Sequence, residues 1–405
     1  MDHILHSVEF QMSILLFVAL TGYMLASMIN QPSVVGQILA GILIGPSVIG
    51  LITYTEFVSS LGHLGAAILL FTIGLEFKIK DLLKIRYAVI GLFGVLVPWV
   101  SGFGLALLFD FEPGRASLIG VALSATSIAI TADTLREMGK LDSVAAKAII
   151  GAAVIDDVLA LLALSISLQV DSGESSLTDI GFMLAKAVAF LAVGIVLSQR
   201  YIRHWIYKLD ATAFAQRYTE AVFVMAMMLA FAYAIAAELM GLSAIIGAFV
   251  AGVSLEGVHL KNSRNFHEGS DYLRVVFGAI FFVSLGILVD LSAFTTDMMI
   301  FLLALTAVAI ASKLLGCSVP AKLMGMTNKD SIAIGVGMVP RGEIAMVVAL
   351  LALNSGAIGQ AAYIAMVLMS LLTAVFTPLA LRNWVYNDKD KAVEIQDNQN
   401  KDTDK

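Results

Sequence analysis

The chain has 405 residues, 59% of them hydrophobic and 14% charged, with a mean hydropathy of +0.90 and a formal net charge of −6. Soluble domains carry about 25% charged residues, so a chain this apolar cannot hide its surface in one water-soluble core. No basic patch with interleaved aromatics is present, which gives a nucleic-acid role no support, and the lone Cys317 in an apolar run reads as a small hydrophobe.

Taken in chain order, the N-terminus MDHILHSVEF has no Lys or Arg ahead of its apolar run and no small-residue cleavage site. It reads as a retained helix rather than a removed signal. Apolar runs long enough to span a bilayer then recur; Tyr87 to Phe109 alone gives 23 residues without a charge. The runs predict an all-α polytopic membrane protein of about 13 transmembrane helices. They fall near 10–29, 34–50, 60–77, 86–109, 115–137, 142–168 and 180–200, then 217–238, 241–257, 272–290, 297–321, 330–352 and 359–384. The polar stretch 385–405 reads as a disordered tail, too short for a nucleotide-binding regulatory domain.

Alternating the loops across the membrane tests this layout. Of the 25 basic residues, 21 fall in one set of loops and only Arg115 in the other. The positive-inside rule then predicts an outside N-terminus and a cytoplasmic C-terminus. The remaining three are Lys186, which can snorkel from a helix end, and Lys313 and Arg341, which cannot.

Five charges fall inside spans: Asp156, Asp157, Lys313, Arg341 and Glu343. Each costs about 2.5 to 3.5 kcal/mol at a helix centre, so all five exposed to lipid would cost on the order of 12 to 18 kcal/mol. They must face one another or a wet cavity. Structural salt bridges are one reading, weakened because a buried ion pair rarely outperforms apolar packing. Asp156 and Asp157 point about 100° apart on a helix, so one can face a cavity and the other a partner. Lys313, in ASKLLG, is the best compensating cation. A carboxylate able to hold either a proton or a metal cation is the minimum equipment for exchange.

Two segments predict broken helices. In 123–131, Ser124, Thr126, Ser127 and Thr131 crowd a span centre, where hydroxyls either back-bond to their own helix or line a site. In 335–343, three glycines and Pro340 should unwind the helix at mid-membrane, tolerated only where the backbone is buried or lines a cavity. Arg341 and Glu343 sit where they could neutralise the half-helix ends. Small-residue-rich helices near 34–50 and 241–257 open the two halves, each followed by one break. The second begins seven spans after the first, an odd separation that predicts inverted repeats, the sequence mark of a secondary transporter.

With ATSIAIT at 125–131, AVIDDVLAL at 153–161, GAFVAG at 247–252, ASKLLG at 311–316 and VPRGE at 339–343, the sequence resembles the monovalent cation:proton antiporters, in particular the NapA-type sodium/proton antiporters, over roughly 10–384. The resemblance implies an NhaA/NapA-like fold with two discontinuous crossing helices and elevator-type movement. Core helices would fall at about 60–168 and 272–352 with the last span 359–384, dimerisation helices at about 10–50 and 217–257, and a linker helix at about 180–200. It implies that Asp157 binds Na+ or H+, with Asp156 contributing to the ion site and pairing with Lys313 when no sodium is bound. Thr126 and Ser127 would line the site, and Glu343 with Arg341 would lie at the second break. It further implies a prokaryotic cell-membrane homodimer, electrogenic because the pair is Asp-Asp, with no cofactor beyond the transported ions. Asp133, just past ATSIAIT, reads equally as a structural cap or a secondary proton site.

The expected activity is Na+/H+ antiport, with Li+ as a second substrate. K+/H+ antiport is the alternative, and a cation channel or membrane sensor is a third reading. An intramembrane hydrolase is disfavoured, since no Gly-x-Ser-x-Gly or His-Glu-x-x-His occurs and the histidines avoid span centres.

Overall fold

With no water at membrane depth, a spanning backbone must satisfy its N–H and C=O groups internally. The computed structural model of the chain does so with helices alone among its described residues, which are 7–78, 84–172, 177–258, 260, 266–289, 298–354 and 358–386. A few helical side chains, Glu343 among them, lie outside the description, as does the predicted tail beyond Tyr386.

The elements run α1 (Val8–Met28), α2 (Ser33–Ile44), α3 (Glu56–Gly74), α4 (Ile85–Leu108), α5 (Pro113–Ser124), α6 (Ile128–Glu137) and α7 (Val144–Ser172). There follow α8 (Leu177–Leu197), α9 (Arg203–Asp210), α10 (Ala213–Arg217), α11 (Ala221–Leu239), α12 (Ala244–Leu255), α13 (Phe266–Leu273) and α14 (Ala279–Ile287). The chain closes with α15 (Met298–Leu323), α16 (Asn328–Gly337), α17 (Glu343–Asn354) and α18 (Gln360–Ala380). Among the described residues, eight helical stretches are long and apolar enough to cross a membrane, and three shorter apolar helices accompany them.

Local chemistry sets the ends. Ser7, Thr55 and Thr327 cap α1, α3 and α16 by accepting backbone N–H bonds, and Pro113 opens α5 where no N–H is needed. One predicted boundary moves: the span near 180–200 does not stop at Arg200. It continues through a π-helical turn, Ser198–Ile202, into α9, because the charges that end the apolar run do not end the helix and Ile206 is fully buried.

Packing sorts the helices into two groups. In one, α1 lies on α2, α2 on α14, α3 on α12 and α14, and α11 on α12. In the other, α4 packs on α5, α7 and α15, while α15 packs on α16 and α18. The helix α8 touches both, through α7 on one side and α11 and α12 on the other. By packing, α3 and α14 therefore join α1, α2, α11 and α12, whereas the resemblance set both stretches, 60–77 and 272–290, with the core.

The two halves reciprocate. The first small-residue helix, α2, crosses α14, and the second, α12, crosses α3. A Cβ on Gly252 would come within 2.1 Å of the Phe71 carbonyl oxygen, and one on Gly286 within 2.2 Å of that of Ile38. Between membrane helices such close approach is the main source of attraction, because lipid tails are as apolar as leucine. Replacing Gly252 by Leu is expected to push α12 off α3 and destabilise the protein by about 1 to 3 kcal/mol. Thermal unfolding in detergent checks this; an unchanged midpoint would remove the crossing as a stability determinant.

Candidate functional site

Both predicted breaks are present and they meet. The α5 helix ends at Ser124 and α6 begins at Ile128, leaving Ala125 to Ser127 unwound, with Ala125 and Ser127 extended. The α16 helix ends at Gly337 and α17 begins at Glu343. The Ser127 N–H donates to the Pro340 carbonyl at 2.8 Å, tying one unwound segment to the other. The Thr131 hydroxyl donates to the Gly337 carbonyl at 2.6 Å, and Thr126 reaches the Met338 carbonyl at 3.5 Å. The hydroxyl reading thus divides. Ser124 back-bonds to Val121 at 2.7 Å, while Thr126 and Thr131 bond across to the other break.

From the third side, Thr373 on α18 accepts the Arg341 N–H at 3.2 Å, and Thr377 donates to the Val336 carbonyl at 3.3 Å. Sequence reading did not single out these two threonines, since nothing around them departs from an ordinary apolar helix. Arg341 is 1% exposed and serves the break itself. Its guanidinium donates to the Val339 carbonyl, to Met338 at 3.5 Å and to the α15 carbonyl of Ala309 at 3.0 Å. A cation at the C-terminal end of α16 meets the partial negative charge of its last carbonyls. Glu343 is the first residue of α17; its side chain lies outside the described residues.

The α7 helix passes beside these breaks: Ala160, one turn beyond Asp157, is buried together with Ala125 and Ala345. Lys313 on α15 donates to Asp156 Oδ1 at 2.6 Å, with both side chains at 0% exposure. Asp157, Thr126 and Ser127 are buried at 4%, 5% and 3%. Two buried oxygens here have no hydrogen-bond partner among the described residues, Asp156 Oδ2 and Ser127 Oγ. Unpaired buried oxygens are costly to leave unmet, and oxygen is the ligand atom that a hard cation takes. Asp133 turns elsewhere: midway along α6, it pairs with Arg274 at 2.9 Å.

The two crossed unwound segments thus bring a buried carboxylate pair together with two buried cations, Lys313 and Arg341. Residues 14–385 match the family model described as sodium/hydrogen exchanger, transmembrane. The chain belongs to the sodium/hydrogen exchanger family. Relatives of this exchanger chain include the Na(+)/H(+)-K(+) antiporter GerN of Bacillus cereus, 32% identical over 95% of this chain and 98% of that one. The high-affinity Na(+)/H(+) antiporter NhaS3 of Synechocystis sp. is also 32% identical, over 81% of this chain and 71% of its own. The sodium proton antiporter MjNhaP1 from Methanocaldococcus jannaschii shares the fold, with a TM-score of 0.66 at 17% identity over 91% of this chain and 95% of that one. The exchanger is a multi-pass membrane protein and a cation/proton antiporter.

Proposed function

We propose that the chain exchanges Na+, and Li+ as a second substrate, for H+ across a prokaryotic cell membrane, with Asp157 as the carboxylate for which cation and proton compete. The observation that carries this reading is the fully buried Asp156–Lys313 pair beside Asp157, with Asp156 Oδ2 and Ser127 Oγ left unpartnered among the described residues. In the proton-loaded form Lys313 holds Asp156. In the cation-loaded form Asp157, Asp156 and the hydroxyls of Thr126 and Ser127 supply oxygens to the ion, and Lys313 is displaced. A displaced, desolvated lysine is free to give up its proton, which moves net charge and makes exchange electrogenic.

The thirteen-span layout, with the N-terminus outside and inverted repeats, completes this picture. The moving body is α4 to α7 with α15 to α18. The scaffold is α1 to α3 with α11 to α14, through which two copies of the chain pair, and α8 links the two bodies. This division follows the observed packing and differs from the implied one at α3 and α14.

The test is transport in proteoliposomes with Na+, Li+ and K+ compared under an imposed voltage. Na+ and Li+ are expected to drive proton movement, with a rate that depends on voltage. A response to K+ alone would replace the reading with K+/H+ antiport, a possibility kept open by the name of the relative GerN. Lys313→Gln removes the second titrating charge and is expected to leave exchange running without voltage dependence; retained voltage dependence would exclude Lys313 as the source of charge movement.

A further inference from the structure

The α6 helix carries the ion site at one end and a charge network at the other. Arg136 donates to Glu76 at 3.0 Å and to Asp271 at 2.5 Å, and Arg274 to Asp133 at 2.9 Å. Glu137 accepts from the Ser33 N–H at 2.8 Å and from its hydroxyl at 2.7 Å. Every one of these contacts runs from α6 to the other packing group. Ser33 opens α2, Glu76 follows α3, Asp271 is on α13, and Arg274 begins the π-helical turn between α13 and α14. None stays within the body that holds the breaks. Elsewhere α6 packs on α2 and α3 through apolar side chains, about as closely as on α7 and α18 of its own body, so this network is the polar part of its tie across the boundary. It also borders a cavity of about 400 Å³ shared by α1, α2 and the π-helical turn.

We propose that this network is an ionic latch that holds the moving core in one end state of the transport cycle and must break for the ion site to be carried to the other face. The inference rests on the moving-core reading above. A stroke of several ångströms along α3 cannot preserve hydrogen bonds whose useful range ends near 3.5 Å. The latch acts on Asp157 only through α6, so Asp133, Arg136 and Glu137 are positioning residues, distinct from the ion ligands.

The network is also tuned by protons. Burial pushes the half-buried Glu76 carboxyl above its usual range; Arg136 opposes the rise, Asp271 and Asp142 add to it, and Arg274 opposes it. Opening exposes Glu76 to water and returns it toward its ordinary value, so the latched state binds the proton more tightly. The Glu76 contribution is therefore full at low pH and is lost as pH rises through the raised value.

The experiment measures apparent KM for Na+ at each face in right-side-out and everted vesicles, because stabilising one end state lowers KM on one side relative to the other. Asp133→Asn and Arg274→Gln are each expected to shift the ratio of the two KM values by roughly threefold to tenfold, in the same direction, with the double variant no worse than either. The exchanged pair Asp133→Arg with Arg274→Asp should restore the ratio. Where the exchanged pair does not fold, Glu137→Gln should shift the ratio the same way, and Glu76→Gln should flatten its pH dependence. In parallel, Ser33→Cys with Glu137→Cys in a Cys317→Ala background is bridged by a short thiol cross-linker, with bridging verified by mass. Arrested exchange with ratios unchanged within about twofold in both single variants overturns the latch and leaves the moving core standing. Exchange that continues through a complete cross-link removes the moving core, and the latch with it.

Discussion

Asp157→Asn is expected to abolish sodium-driven proton movement while leaving the protein folded. The substitution keeps the shape of the side chain and removes both things that exchange needs, a negative charge for the cation and a base for the proton. A unit charge at 4 Å interacts with about 4 kcal/mol at an effective dielectric constant of 20, which corresponds to roughly a thousandfold in cation affinity. Asp156 alone cannot substitute, because Lys313 at 2.6 Å already balances its single negative charge. Proteoliposome assays of the purified variant, with thermal unfolding as the control for folding, decide the matter. Near-normal exchange in a folded Asp157→Asn protein would remove this carboxylate from the transport cycle.

Arg341→Ala is expected to be the most destabilising single substitution at the crossing. The guanidinium is sealed from solvent and answers carbonyls on two elements, Met338 and Val339 at the end of α16 and Ala309 on α15. Truncation leaves those acceptors unmet and opens a large cavity between them. Each orphaned buried group costs about 1 to 3 kcal/mol, so a loss on the order of 3 to 5 kcal/mol is expected. Arg341→Lys keeps the charge but lacks the planar fork that reaches both elements at once, and should fall between. The check is the unfolding midpoint in detergent together with the yield of monodisperse protein. A midpoint unmoved by alanine would mean that the unwound segment is held by the threonines of α6 and α18 alone.

Much of this site was legible because it violates the rules of its surroundings. Charges in lipid-length apolar runs are expensive, so Asp156, Asp157, Lys313 and Arg341 stood out one by one, and the first and third do meet. The unwound segment around Pro340 was visible for the same reason, a proline among glycines in a helix. Long apolar helices could be placed within a few residues; α4, predicted at 86–109, runs from Ile85 to Leu108. Other features leave no local trace. Thr373 and Thr377 look like ordinary members of an apolar helix, and only the chain crossing shows that they bond the second break. The pairing of Asp133 with Arg274 spans 141 residues, and neither residue's neighbourhood specifies the other. The assignment of α3 and α14 to the outer group is likewise a property of packing. Both are apolar spans whose sequence looks the same whichever body they join.

The pair at the heart of the site also constrains how the protein can be made. Asp156 precedes Lys313 by 157 residues. At about 5 to 20 residues per second, a ribosome needs on the order of 8 to 30 seconds to synthesise the stretch between them. Throughout that interval the nascent first half holds its aspartates without the lysine, and its α2 and α3 helices without the α14 and α12 surfaces that cover them. Water, lipid headgroups or the insertion machinery must shelter the half-finished chain until the second half arrives.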